Sequence, residues 1–173
     1  MIRIGKLFAV SYLNKCIRSR KYRMYSSTSN ASFQRAILAI GGNMGDRYGM
    51  IQKALMLIQS YNDTRLTDTS YLYESESMYV LDQPHFLNGV LAIETSLDPI
   101  MLLHRVKDIE RACGRKISND TGAGLVPNGP RPIDIDILFY GNRNDAVIDN
   151  TNPNLIVPHP RLQERSFVTT PLL

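Results

Sequence analysis

Past residue 31, apolar positions come in short runs separated by glycine, asparagine and proline, and the period of the runs changes along the chain. Phe33 to Ile40 is a compact apolar run and predicts a buried strand. Gly41-Gly42-Asn43-Met44-Gly45 ends it. From Asp46 to Gln59, Ile51, Leu55 and Ile58 fall at helical spacing, with Asp46 placed to cap the first turn. Thr64 to Glu76, rich in Thr, Ser and Tyr, suits a strand, and Phe86 to Thr95 suits another. Asp98-Pro99 predicts a helix start, with Asp at the cap and Pro at the first helical position. Ile100, Leu103, Val106, Lys107 and Ile109 carry that helix to Gly114, a good residue to leave it. Ser118 to Gly129 is a long Gly/Asn/Pro loop, and a loop of that length in a compact domain is usually functional or mobile. Ile133 to Tyr140 predicts a strand with alternating acids, Asn142 to Asn154 a polar loop, and Leu155 to Val157 a short strand. The order β-α-β-β-α-β predicts an α+β fold: a ferredoxin-like sandwich of one mostly antiparallel sheet with two helices on one face.

Length and composition narrow this further. The chain has 173 residues, enough for one domain plus a tail, and no apolar run approaches the roughly 20 residues of a membrane span. Its net charge of +4 is unevenly placed. Residues 1–31 carry seven basic residues and no acid, so the remaining thirteen basic and sixteen acidic residues leave the body at −3. The pI near 9.1 therefore describes the leader, and a nucleic-acid module inferred from it is excluded. The leader is basic, acid-free and Ser-rich towards its end, which is the composition of an organelle transit peptide, mitochondrial before plastid, cleaved between Tyr25 and Ser32, or else of a disordered basic tail or an RNA-binding arm. Its longest apolar run, Leu7 to Val10, is too short for a secretory signal. Of the two cysteines, Cys16 lies in the leader, and Cys113 alone can form neither an internal disulfide nor a Cys-based zinc site.

Several residues point to chemistry. Asp134 and Asp136 are two apart in a strand, so their carboxylates share one face while Ile133, Ile135 and Ile137 enter the core. Two such carboxylates without His or Cys suit Mg²⁺ held together with substrate phosphates, or else simply decorate a solvent-facing strand. Arg131, in Gly129-Pro130-Arg131-Pro132, puts a phosphate-matching fork beside them. His159 lies between two prolines, with Arg161 and Arg165 following, which suits a polyanion site, or else it is an ordinary structural histidine. Phe86 and Asn88 also face one way, a ring for stacking and an amide for the edge of a planar heterocycle, or an ordinary core Phe beside a capping Asn. Asn43 can read such an edge too. The glycines before it lack the Lys-Ser/Thr of a phosphate loop and equally suit a tight strand-to-helix turn. Lys107 and Glu110, then Arg115, end the second helix beside the long loop, where a solvated surface is the ordinary case.

The stretches AIGGNMGDR, YESESMYVLDQPHFLNGV, KDIERACGR, GPRPIDIDILFYG and VPHPRLQERSF resemble, in order, the 6-hydroxymethyl-7,8-dihydropterin pyrophosphokinase family of folate biosynthesis. With the leader, they are similar to the plant mitochondrial form, in which a dihydropteroate synthase follows in the same chain. The resemblance implies transfer of pyrophosphate from ATP to the pterin hydroxymethyl oxygen, releasing AMP. It implies two Mg²⁺ ions held by Asp134 and Asp136. The pterin-site pattern falls on Asn43, Ser75, Met78, Phe86, Asn88, Asp134 and Phe167, with the ring between Phe86 and Phe167. The ATP-site pattern falls on Lys107, Glu110, Ile137, Leu155, His159 and Arg165. Arg115 and Arg131 match catalytic arginines that close over the site with the mobile catalytic loop. The chain departs from the family pattern in its arginine-free 117–128 loop, in Ser77 where proline is usual, in Asn154 where a basic residue is usual, and in stopping at Leu173. These departures also fit a non-catalytic member that binds ATP or pterin and docks a synthase partner.

Overall fold

The computed structural model describes residues 2–6, 32–116, 127–141, 149–152, 155–164 and 169, with the backbone alone for 2, 4–6 and 149–152. In chain order the elements are β1 (Ile2–Lys6), β2 (Gln34–Gly42), α1 (Arg47–Ser60), β3 (Thr64–Thr69) and β4 (Tyr71–Ser75). Then follow β5 (Phe86–Thr95), α2 (Pro99–Ala112), β6 (Asp134–Tyr140), β7 (Asp149–Asn152) and β8 (Leu155–Val157). The fold is α+β. The main sheet runs β1-β4-β5-β2-β6 with β3 also paired to β5, and every pairing is antiparallel. No helix among the described residues is long and apolar enough to cross a membrane.

Both helices start as their caps dictate. The Asp46 carboxylate accepts from Gly49 N at 2.9 Å and Asp98 from Met101 N at 2.8 Å, satisfying donors that a first turn leaves open. Gly114 leaves α2 at φ +88, a conformation costly for any residue with a Cβ. Ile51, Ala54, Leu55 and Ile58 of α1 and Leu102, Val106 and Ile109 of α2 pack in one core with Leu38, Ile40, Leu91, Ile93, Ile133, Ile135 and Ile137. The two helices therefore cover the same face of the sheet. The opposite face carries a small second cluster, Ala39, Val90 and Leu138, with Leu162 against it.

Three details differ from the sequence pattern. Thr64 to Glu76 is two strands, because Ser70 interrupts the ladder: its hydroxyl, as acceptor, takes Val90 N at 2.9 Å and also donates to Tyr71 O at 2.6 Å. The polar stretch after Tyr140 contains β7, which pairs with β8 in a separate two-stranded sheet. Residues 2–6, inside the basic leader, form strand β1 on β4, where the Arg3 guanidinium lies 3.3 Å from the Tyr71 ring centre. The rest of the leader, 7–31, and positions 117–126 of the long loop lie outside the described residues.

Candidate active site

The sheet register builds a cleft on the face away from the helices. Asp134 on β6 pairs with Gly41 on β2, and Gly41 pairs with Asn88 on β5, giving one row across three strands. The next row towards the interior is Asp136, Ala39 and Val90. Because side chains two apart share a face, Asp134, Asp136 and Leu138 all point away from the helices, as do Gly41 and Asn88. Glycine at the middle of the first row leaves the floor open between an amide and a carboxylate. A Cβ there would lie 2.1 Å from Asn88 Oδ1, and a Cβ on Gly42 would lie 2.2 Å from Pro132 O. The glycine pair thus answers two close approaches.

Ala39, Ile40, Gly41, Ser75 to Tyr79, Phe86, Asn88, Asn128, Arg131, Asp134 and Asp136 enclose this cleft. Of the residues singled out from the sequence, Ser75, Met78, Phe86, Asn88, Arg131, Asp134 and Asp136 meet here. One end is a ring and an amide. Asn88 Nδ2 donates to Ser75 Oγ at 2.9 Å, which fixes the amide orientation, and exposed Met78 lies alongside. The Arg131 guanidinium sits 5.9 Å from the Phe86 ring centre and joins this end to the other.

The other end is charged. Asp134 and Asp136 side chains are each 24% exposed, open enough for a ligand to reach. Asp134 is held by Arg115 through a hydrogen bond and by Arg131 Nη1 at 2.8 Å. Burial pushes its carboxyl up, but Arg115 and Arg131 outweigh that and hold it below the ordinary value. Burial pulls the Arg115 pKa down, and Asp134 and Glu110 outweigh that and hold it above its ordinary value. His159 N donates to Leu138 O at 3.0 Å, on the outer edge of β6. Its Nδ1 accepts from Arg161 N at 3.2 Å, which leaves Nε2 facing the Asp136 carboxylate at 3.9 Å.

Behind Asp134 lies a second ionic layer that the helix pattern does not reveal. Glu110 is fully buried rather than a solvated helix residue. Among the described residues β6 is the last strand of the sheet, its outward N–H groups have no strand partner there, and Glu110 Oε1 accepts one of them, Ile135 N, at 2.7 Å. Lys107 Nζ at 2.9 Å and Arg115 Nη1 at 2.8 Å pair with the same carboxylate. Burial raises its pKa despite these two cations. Lys107 and Glu110 therefore back the cleft through Arg115.

Other predicted residues sit elsewhere. Ile137 and Leu155 are in the main core. Asn43 is buried, and its amide is committed to protein: Nδ2 donates to Gln83 Oε1 and Pro84 O, both at 3.0 Å, and Oδ1 accepts from Arg131 N at 2.8 Å. Arg165 and Phe167 lie outside the described residues. Gln83 and Asn128 have no signal in the residue pattern, since each reaches across the fold to a partner forty or more positions away. Among the described residues no three His, Cys, Asp or Glu side chains converge on one point. Two aligned carboxylates fit a hard cation whose remaining ligands come from a substrate.

Comparison with known proteins adds the lineage. The chain is 39% identical over 182 residues to the folic acid synthesis protein fol1 of Schizosaccharomyces pombe, covering 99% of this chain and 23% of that protein. It is 41% identical to a mitochondrial folate synthesis bifunctional protein of Arabidopsis thaliana, over 79% of this chain and 22% of that one. It is 37% identical to the 2-amino-4-hydroxy-6-hydroxymethyldihydropteridine pyrophosphokinase of Bacillus subtilis, over 79% of this chain and 75% of that one. The chain thus spans about a quarter of the length of the longer relatives. A family model described as 7,8-dihydro-6-hydroxymethylpterin-pyrophosphokinase (HPPK) matches residues 37–173, and the chain belongs to that family.

Proposed function

We propose that the protein transfers pyrophosphate from ATP to 6-hydroxymethyl-7,8-dihydropterin, giving AMP and the pterin diphosphate, as a step of folate biosynthesis. One observation carries the reading: a ring-and-amide wall and a carboxylate-and-guanidinium wall share one cleft, separated only by Gly41. A pterin is planar and presents amino and ring N–H donors on one edge. Phe86 offers a face for stacking, and Asn88 Oδ1, fixed by the bond from Asn88 to Ser75, offers an acceptor for that edge. Phe167 would close the stack from the other side.

The hydroxymethyl oxygen would then attack the β-phosphorus, with AMP leaving. Such transfers are accelerated chiefly by positioning and by neutralising charge. Arg115 and Arg131 already sit at the charged end, and their forks match phosphate oxygens. His159 Nε2 would donate to a phosphate oxygen, with Lys107 and Arg165 as further cations on the nucleotide side. Asp134 and Asp136 would hold Mg²⁺, which neutralises the triphosphate when bound. Several relatives are named bifunctional, which supports a dihydropteroate synthase domain or partner. Two plant relatives are named mitochondrial, which supports reading the basic leader as a mitochondrial address.

The test is AMP release by the full chain with ATP, Mg²⁺ and the pterin. AMP should require all three, and Asp134→Ala and Asp136→Ala should abolish it. If no AMP appears with any combination, the reaction assignment fails, and if calorimetry also detects neither ligand, the site assignment fails with it.

A further inference from the structure

We propose that Gln83 is a positioning residue of this cleft, tying the loop between β4 and β5 to the backbone that carries Arg131. This rests on the pyrophosphoryl-transfer reading above. The Gln83 side chain lines no part of the cleft, so any effect it has must pass through others.

A primary amide has one carbonyl oxygen and two N–H protons. Gln83 Oε1 accepts from Asn43 Nδ2 at 3.0 Å. Gln83 Nε2 faces three oxygens: Ser77 Oγ at 2.6 Å, Val80 O at 2.8 Å and Asn128 O at 3.1 Å. Two protons cannot serve three acceptors in full. The longest contact, to exposed Asn128, is the one that yields. The bonds to Ser77 and Val80 close the loop on itself, and that loop supplies Glu76, Ser77, Met78 and Tyr79 to the cleft wall.

The other two contacts reach across. Asn43 holds Arg131 by both backbone groups: its Oδ1 accepts Arg131 N at 2.8 Å, and its own N donates to Arg131 O at 3.0 Å. Arg131 in turn pairs with Asp134. Asn128, at φ +59, is the turn residue three positions before Arg131. Gln83 therefore sets the distance between the heterocycle wall and the arginine that faces the phosphates. Ser77 is part of the device, since a residue without a hydroxyl there would leave one Nε2 proton for Asn128.

The test uses the full chain with Gln83→Glu, which has the same shape. The carboxylate still accepts from Asn43 Nδ2 and from the Ser77 hydroxyl, but it has no proton for the carbonyls of Val80 and Asn128. Hydrogen exchange in 76–85 and 127–131 should speed up by about fivefold or more, while α1 and α2 stay as in the wild type. The pterin KM should rise by about tenfold, the worth of a lost hydrogen bond, while the ATP Kd measured without pterin stays within about twofold. Ser77→Ala should do the reverse at the turn, slowing exchange in 127–131. Unchanged exchange in both variants overturns the proposal. So does a Gln83→Glu protein in which exchange rises in the helices too and both affinities fall together, since that marks general loosening. If the wild type releases no pterin-dependent AMP, the reaction assignment fails on its own, and the exchange arms still decide the tether.

Discussion

The two ends of the cleft are built on different principles. At the Phe86–Asn88 end the ring, the amide and the Ser75 hydroxyl are neutral, and they are held by strand register and by the hydrogen bond from Asn88 to Ser75. No ion pair among Phe86, Asn88 and Ser75 has to be broken for a flat ring to enter. At the Asp134–Asp136 end every group is charged, and Asp134 is already engaged by Arg115 and Arg131. A ligand arriving at that end must rearrange ion pairs. The first end is preorganised by backbone geometry, and the second by mutual neutralisation. The first should thus respond to small steric changes and ignore pH, whereas the second should respond to any change of charge.

The largest expected effect follows from removing a charge. Asp136→Ala takes away one of two aligned carboxylates, and transition-state stabilisation of several kcal/mol at a metal-assisted site corresponds to a loss in kcat/KM of about a thousandfold or more. Calorimetry should find Mg²⁺-dependent ATP binding weakened and pterin binding intact. Equal loss of both ligands would mean that the two ends are not separable.

The complementary change is steric. Gly41→Ala puts a methyl group 2.1 Å from Asn88 Oδ1, too close to coexist with the present amide position. Overpacking of this kind costs about 1–3 kcal/mol, and because Asn88 must swing away the cost should fall on the pterin: an affinity lower by about ten- to a hundredfold. ATP binding without pterin should be unchanged. A Gly41→Ala protein that keeps its pterin affinity would remove Asn88 from the ring edge.

The same contrast decides what the sequence reveals. Elements and residues fixed by local rules are visible in it: the Asp46 and Asp98 caps, Gly114, and the same-face pairs Asp134/Asp136 and Phe86/Asn88. Each depends on spacing within one segment. Features that depend on which segments meet are not. The Ser70 break exists because its hydroxyl meets Val90 on β5. Glu110 looks like a surface helix residue until β6 is known to be the sheet edge whose Ile135 N–H it caps. Asn43 has the right type for a heterocycle edge, yet the turn at Arg131 claims its amide. Family resemblance marks such positions without saying which contacts they make.

The smallest effect concerns pH and separates Asp134 from Glu110, the carboxylate behind it, in metal-free buffer. Asp134 is held below its ordinary value of 3.8, so the fold favours its ionised form. That contribution is present above the ordinary value and is lost as pH falls through the lowered one. Glu110 is raised above its ordinary value of 4.5, so the fold favours its protonated form. Its contribution is complete below that value and is lost as pH rises through the raised one. Urea midpoints of the wild type, Asp134→Asn and Glu110→Gln between about pH 7 and pH 3 should therefore diverge in opposite senses. The gap between wild type and Asp134→Asn should hold steady down to the ordinary Asp range and close below it. The wild type should gain on Glu110→Gln as pH falls through the raised Glu110 value, because only the wild type can take up that proton. Parallel curves for all three proteins would mean that the layer behind the cleft shares its charge evenly, and that Arg115 does not discriminate between the carboxylate facing the ligand and the one behind it.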